Sequence, residues 1–374
     1  MLPISPSRAD RIMAFLKQAL VEQPSLGPVY TAAEARGVLG ETGFAGNTAP
    51  ENSVIGREDL ERVHAQEFIA ALYEDEPDAG GLVRALLNAW ELIDPQGRPN
   101  RYEPDKAVKP LQALFRTVLL QVGGTYLAAR LALSGTAGKP PFCYYLGGGM
   151  HHGRYDHGAG FCLVNDIMIA ARKLQAEHRA TLIWVVDVDA HKGCGTAELV
   201  QFARERGELG QGSTIPDILN LSVHMARGWP LDEDAAQPGR APCIPADVEI
   251  PIEAGAEAGY IPKLAQGLQQ LEGLSGGAKP DLVMVVDGAD PYEHDGLPSS
   301  GLLKLSLEQC VQRDQLIYEY LRERNLPSVW IMAGGYGERA WEPVAHFLNT
   351  LATTPNMAGN RGYFSEEGAK KYYI

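Results

Sequence analysis

Long apolar runs are missing from this chain of 374 residues. Crossing a bilayer takes about 20 consecutive apolar residues, and no stretch comes near that, so no membrane association is expected. Cysteine is sparse: Cys143, Cys162, Cys194, Cys243 and Cys310. An odd number without CxxC spacing argues against a disulfide framework and against a structural zinc site. The opening residues, MLPISPSRADRIMAFLKQAL, mix acidic and basic side chains and lack the apolar core of a signal peptide. A cytoplasmic location is therefore the default expectation. Positive charge is in deficit, with 33 Lys and Arg against 47 Asp and Glu, a net charge of −14. So acidic a chain is not built for general nucleic-acid binding, and a basic or neutral substrate is compatible with it. Internal repeats, low-complexity tracts and obvious linkers are also lacking, so residues 1–374 read as a single α/β domain.

What is present centres on Thr181 to Gly195, TLIWVVDVDAHKGCG. Its first six residues are almost all apolar and β-prone, which reads as a strand buried on both faces. Asp187, Asp189 and His191 follow at alternate positions. Alternate residues of an extended chain point the same way, so Asp189 and His191 could grip one ion if the chain stays extended. Buried charge at a strand end is costly without a partner, and a divalent metal is the simplest one. Oxygen and imidazole donors suit zinc, iron(II) or manganese. Gly193 and Gly195 allow a tight turn before a helix from about Thr196.

Five strand-like runs are expected: Phe142–Leu146, Leu182–Val188, Ile218–Val223, Asp281–Val286 and Ser328–Met332. Helical stretches lie between most of them: Asn165–Glu177, Ala197–Arg206, Ala256–Leu271 and Leu307–Arg324. Ser306 and Gln309 form a capping box for the last. Ser7–Val21 and Arg57–Tyr73 also read as helices. Ala107–Leu133 reads as one or two, with Gly123–Gly124 a break or a close packing point. Residues 1–60 are the least readable, with loops expected over GETGFAGNTAPENSVIG. The alternation predicts a parallel sheet covered on both faces. Polar, glycine-rich text follows nearly every strand: GGGMHH, DVDAH, SVH, DGAD and AGGYG. In open parallel sheets the ligand crevice lies outside those strand ends.

A catalytic metal usually keeps three protein ligands and an open position, and Asp290 is the candidate third. His151 and His152 are placed to act as general base and acid on a water whose pKa a metal can bring down to about 7. Asp187 is expected to orient a histidine or hold a second, structural cation. Tyr336 is a candidate donor to a developing oxyanion.

Taken together, GGGMHHGRYDHGAGFCLVND, VDVDAHKGCGT, LSVH, DGADPYEHDGL and AGGYG resemble the zinc-dependent histone deacetylase family, which includes bacterial amidohydrolases and acetylpolyamine amidohydrolases. The likeness covers about Gly56 to Leu351. It implies a three-layer αβα fold with a central, mostly parallel, eight-stranded sheet shared with arginases. It implies a metal site of Asp189, His191 and Asp290 for zinc, with iron(II) the alternative, and His151, His152 and Tyr336 as the catalytic groups. A structural potassium site is implied at Asp187, Ser222 and Val223. Gly160, Phe161 and Trp229 match the acyl-lysine channel. Leu297 falls where polyamine-selective members carry an acidic gatekeeper, which lowers the expectation of acetylpolyamines. Cys194 stands where the family has Asp or Asn as partner of the second histidine. A thiol is a weak, uncharged donor, so the tuning of His152 departs from the pattern.

The resulting expectation is a zinc-dependent amidohydrolase that removes acetyl or another acyl group from a lysine-like amine. A small-molecule or acetylpolyamine amidohydrolase of the same family is the alternative. A catalytically weak acyl-binding protein ranks lower, with Cys194 its only support in the sequence, and so does a two-manganese ureohydrolase, because Lys192, Gly193 and Cys194 follow His191 where a second metal would need further aspartates.

Overall fold

The structure is a computed structural model, and it describes residues 7–22, 29–30, 34–35, 54–74, 81–94, 96–101, 103–135, 141–208, 217–232, 242–353 and 362–365. In chain order its elements are α1 (Arg8–Glu22), β1 (Val29–Tyr30), α2 (Arg57–Glu61), α3 (Gln66–Leu72), α4 (Gly81–Ala89) and α5 (Ala113–Leu133). There follow β2 (Phe142–Tyr145), α6 (Asp166–Ala176), β3 (Ile183–Asp187), α7 (Cys194–Glu205), β4 (Ile218–Met225) and β5 (Val248–Ile252). The chain continues with α8 (Tyr260–Leu274), β6 (Leu282–Asp287), α9 (Leu307–Glu323), β7 (Ser328–Met332), α10 (Glu342–Thr353) and β8 (Gly362–Ser365).

The strands form one sheet in the order β1-β8-β2-β7-β6-β3-β4-β5. Every described pair is parallel, as the strand–helix alternation requires. Successive side chains of β3 serve opposite faces. Ile183 and Val185 join one apolar core and Trp184 and Val186 the other. β6 does the same with Leu282, Met284 and Val286 against Val283 and Val285. That double burial explains the unbroken apolar runs. One core takes Val122 of α5, Ile167 of α6 and Leu199 of α7, and the other takes Ile12 of α1, Leu264 of α8, Ile317 of α9 and Phe347 of α10. This is the α/β fold with helices on both faces of a parallel sheet.

Several expectations are refined. Arg57–Tyr73 is two helices, because the chain breaks where the Ala65 amide donates 2.8 Å to the Tyr155 carbonyl. The long helix runs unbroken through Gly123–Gly124. A Cβ on Gly124 would lie 2.2 Å from the Tyr145 ring, so this glycine is a close packing point. The capping box at Ser306 and Gln309 is present, with amide-to-side-chain bonds of 3.0 and 3.2 Å. Most of GETGFAGNTAPENSVIG lies outside the described residues. No helix among the described residues is long and apolar enough to cross a membrane.

One expectation is overturned. Cys194 and Cys243 form a disulfide, with Cα atoms 5.2 Å apart. Cysteine number and local spacing could not reveal it, because 49 residues separate the partners and only the packing of α7 against the segment before β5 brings them together. On a chain-entropy model a closure of that length stabilises the fold by roughly 4 kcal/mol. The bridge also removes the cysteine argument for a reducing compartment. Cys143, Cys162 and Cys310 are buried free thiols.

The sheet carries a buried ionic staple close to its C-terminal edge. Arg313 of α9 is fully buried and donates to the carbonyls of Val188 (3.0 Å) and Gly288 (2.7 Å) and to the carboxylates of Asp287 (2.5 Å) and Asp314 (2.7 Å). The Tyr144 hydroxyl donates to the other oxygen of Asp287 at 2.6 Å. One cation thus ties together the ends of β3 and β6. Removing one partner of a buried pair costs about 3–5 kcal/mol, because the remaining charge is left uncompensated. Arg313→Met should therefore destabilise the fold by about 3–5 kcal/mol in urea denaturation. A loss below about 1 kcal/mol would mean that the staple carries little of the load.

Candidate active site

The site is built from loops that leave the strand ends. Beyond β3 the chain is not extended as the alternation argument supposed. It bends from Asp189 to His191, and the His191 amide donates 2.9 Å to Asp189 Oδ1. The bend still brings the side chains together. The ligating atoms of Asp189, His191 and Asp290 all lie within 4.8 Å of one another, and all three residues are buried. His191 Nδ1 lies 2.8 Å from Asp290 Oδ2 and 3.3 Å from Asp189 Oδ1. Asp290 also accepts from the Ala190 amide at 2.9 Å, and Asp189 from the Gly334 amide at 2.8 Å. A Cβ on Gly288 or on Gly334 would sit 2.4 Å from Asp189 Oδ2, so both backbones must approach without a side chain.

The paired histidines sit beside this cluster. His151 Nδ1 is 2.7 Å from Asp187 Oδ2, and its Nε2 is 3.8 Å from Asp189 Oδ1. The two imidazoles are 3.9 Å apart between centroids. Asp166 holds their loop, accepting from the amides of Gly149 (3.0 Å) and Met150 (2.6 Å). The N-terminus of α7 holds it from the other side, where the Thr196 amide donates 3.1 Å to the His151 carbonyl. Trp229 lies edge-on to His152 at 4.6 Å and to His191 at 5.6 Å. Gly160 fits beneath it, since a Cβ there would fall 2.2 Å from the indole and 2.7 Å from His152. Phe161, with φ at +66°, lies edge-on to Tyr336 at 6.1 Å. Leu297 is half-buried and donates its amide to Asp295 Oδ1 at 2.9 Å. Asp295 Oδ2 accepts from the Tyr336 amide at 2.6 Å, which fixes the loop carrying the phenol.

Burial and mutual charge set the protonation of these groups in the absence of a cation. Burial opposes a proton on His151, but the carboxylates of Asp187 and Asp189 prevail and raise it to about 9. Burial likewise opposes a proton on His191, and its bonds to Asp189 and Asp290 raise it to about 10. Burial, then the charge of Asp189, lifts Asp290 to about 7. Burial works upward on Asp189 too, but His151 and His191 hold it well below the carboxylate range. His152 is driven far below its ordinary value by burial and by the neighbouring His151 and His191, so it stays neutral. Tyr336 is pushed well above the phenol range by burial and by Asp290 and Asp189, so it keeps its proton. This is the divergence of acid and base character expected where environment assigns the roles.

Two carboxylates and one imidazole, already drawn together and partly neutralised by protons, fit a zinc or iron(II) ion. Among the described residues no other group of three or more His, Cys, Asp or Glu lies close enough to hold a metal. Asp187 and Ser222 are neighbours in the β3–β4 register, with Val223 next along β4. Ser222 Oγ is 3.0 Å from His224 Nδ1, and His224 Nε2 is 3.3 Å from Glu249, which also pairs with the buried Lys192.

Residues 2–351 match the family model of the histone deacetylase domain. The chain belongs to the histone deacetylase family. It is 29% identical to histone deacetylase 2 of Arabidopsis thaliana over 62% of this chain and 52% of that one. It is 28% identical to the acetoin utilization protein AcuC of Bacillus subtilis over 77% of this chain and 66% of that one. It thus spans about half to two thirds of the length of these relatives. Among solved structures, an acetylpolyamine aminohydrolase from Burkholderia pseudomallei superposes with a TM-score of 0.53 at 19% identity, over 88% of this chain and 89% of that one. That likeness supports the fold.

Four further residues, without a signal in the sequence, support the loops and rings of this candidate site: Asp166, Asp295, Arg8 and Ser299. Arg8 reaches in from α1 and donates to the carbonyls of Ala333 (2.6 Å) and Gly334 (2.9 Å), in the loop that carries Tyr336 and whose Gly334 amide bonds Asp189. An arginine in the first turn of an amphipathic helix gives no such signal in sequence. Ser299 Oγ lies 3.2 Å from His191 Nε2, the ring nitrogen facing away from the carboxylates. A metal-ligating histidine characteristically donates its other N–H to such a partner, and losing the partner costs roughly 10–100-fold in metal affinity. Ser299→Ala should weaken zinc binding by about that factor in chelator competition, and Ser299→Thr should keep it. Unchanged affinity in the alanine variant would remove Ser299 from the site.

Proposed function

We propose that this protein is a metal-dependent amidohydrolase that removes an acetyl or other acyl group from a lysine-like amine. The observation that carries the reading is one buried cluster of Asp189, His191 and Asp290 flanked by His151, His152 and Tyr336. Asp189, His191 and Asp290 would hold zinc, with iron(II) the alternative. That ion supplies Lewis acidity at the amide carbonyl and makes a nearby water easier to deprotonate. His152, neutral in this setting, takes the proton from the attacking water on an imidazole nitrogen and returns it to the departing amine nitrogen. His151, held by Asp187 at 2.7 Å, packs beside it as the second imidazole and fixes its position. The Tyr336 phenol donates to the carbonyl oxygen as charge builds there. Trp229, Phe161 and Gly160 would line the acyl-lysine channel, and Leu297 its rim, where an uncharged side chain offers nothing to a second ammonium. Asp187, Ser222 and Val223 would hold a structural potassium ion.

Turnover of an acetyl-lysine peptide tests the reading. The zinc-loaded protein should hydrolyse it, and a chelator should abolish the activity. Tyr336→Phe should lose roughly 10²–10³-fold in kcat, the usual cost of one oxyanion donor. His152→Ala should lose about 10²–10⁴-fold. An inert metal-loaded wild type, or variants that match it, would contradict the proposal.

A further inference from the structure

The Cys194–Cys243 disulfide sits where this chain departs from its family, and its contacts form a closed circuit through the site. Cys194 is the first residue of α7. The two glycines on either side of it pack directly on the paired histidines. A Cβ on Gly193 would fall 3.2 Å from His151 Nδ1 and 2.3 Å from Asp187 Oδ2, and one on Gly195 would fall 2.7 Å from the backbone carbon of His152. The other sulfur touches the opposite wall. Cys243 Sγ lies 3.8 Å from the carbonyl oxygen of Pro230, a van der Waals contact because a disulfide sulfur carries no proton. Pro230 follows Trp229, and Trp229 packs on His152 and His191. The neighbouring Pro242 carbonyl accepts from Arg154 at 3.5 Å, and Arg154 is paired with Glu198 of α7.

Among the described residues, the loop that carries Trp229 is tied to the sheet at its near end, where Arg227 also pairs with Glu253 at 3.9 Å. From Gly228 its backbone bonds close on themselves, with the amides of Leu231 (2.7 Å) and Asp232 (2.9 Å) both donating to the Gly228 carbonyl. The firm anchor is the Ala226 amide on Ile252, at the ends of β4 and β5. Besides the packing of its ring on His152 and His191, the described backbone gives Trp229 that one anchor, and the contact of the bridge with Pro230 adds a second point of support.

We propose that the Cys194–Cys243 bridge is a reducible positioning strut that fixes the Trp229 wall against the paired-histidine loop. Its effect on turnover rests on the amidohydrolase reading above, and its effect on the loop does not. A dithiol opens it. One thiolate attacks a bridge sulfur and expels the other as a thiolate, and the second thiol resolves the mixed disulfide. Both cysteines end as thiols and the dithiol ends as its cyclic disulfide. With the strut open, Trp229 swings more freely, so acyl-chain binding weakens more than the chemical step.

The test uses the full chain, oxidised and then treated with dithiothreitol, beside Cys243→Ser. Thiol titration of the denatured protein should rise from three free groups (Cys143, Cys162 and Cys310) to all five cysteines on reduction. Amide hydrogen exchange over residues 226–232 should then speed up by about tenfold or more. KM for an acetyl-lysine peptide should rise by about tenfold, with a smaller fall in kcat. Reoxidation should restore the wild type and leave Cys243→Ser unchanged. Five free thiols in protein exposed to a mild oxidant would overturn the proposal. So would an open bridge with loop exchange and KM both unmoved. If Cys243→Ser fails to fold, reversible reduction of the wild type makes the same comparison. If the metal-loaded wild type turns over no acyl-lysine, the amidohydrolase reading falls, and loop exchange still decides the strut.

Discussion

Buried negative charge at the ends of parallel strands is the constraint from which the rest of this molecule follows. Asp187, Asp189, Asp287 and Asp290 are all at most 3% exposed. Four carboxylates in so small a volume cannot remain ionised without compensation. The protein meets the demand in two ways. Beneath the sheet edge the compensation is permanent, with Arg313 spanning Asp287, Asp314 and the carbonyls of both strands. Above the edge it is exchangeable, with His151 and His191 carrying protons on behalf of Asp187, Asp189 and Asp290. Protons can be replaced by a divalent ion. Asp189, His191 and Asp290 are the candidate site for such an ion.

The same edge explains the aromatic and glycine residues around it. Backbone must approach the carboxylates closely, which places Gly288 and Gly334 where a Cβ would collide with Asp189. Beside the cluster are the neutral His152, with the Trp229 indole edge-on to it at 4.6 Å, and Tyr336, which burial and Asp290 keep protonated. A base that holds no proton and a donor that keeps its own are complementary halves of an acyl-transfer site. Cys194, the first residue of α7, is bonded to Cys243, so it presents no thiol to His152. The local energetics of that histidine come from burial and from its imidazole neighbours.

Much of this was legible in the residues. Runs such as LIWVV and LVMVV are apolar on both faces, so β3 and β6 could be read within a residue or two. The charged residues at the strand ends could be singled out with them, because charged groups after such runs demand a partner. β5 escaped because VEIPI alternates and contains a proline. It is an edge strand, buried on one side and exposed on the other, and its signal is weak by comparison. α4 and α10 also escaped, since neither is flanked by a capping pattern. Arg8, Asp166, Asp295 and Ser299 could not be found from sequence, because each acts across the chain on a backbone or ring that only folding brings near. The disulfide is the strongest such case. Odd cysteine number pointed away from it, and two elements that meet only in three dimensions created it.

The most direct measurement is the stoichiometry and location of bound metal. Titration of the metal-free protein with zinc, followed by anomalous diffraction at the zinc edge, reads both. The expected result is one high-affinity ion per chain between the side chains of Asp189, His191 and Asp290, lost in Asp290→Asn while the circular dichroism spectrum stays the same. Zinc bound elsewhere, or bound as tightly by folded Asp290→Asn, would contradict the account.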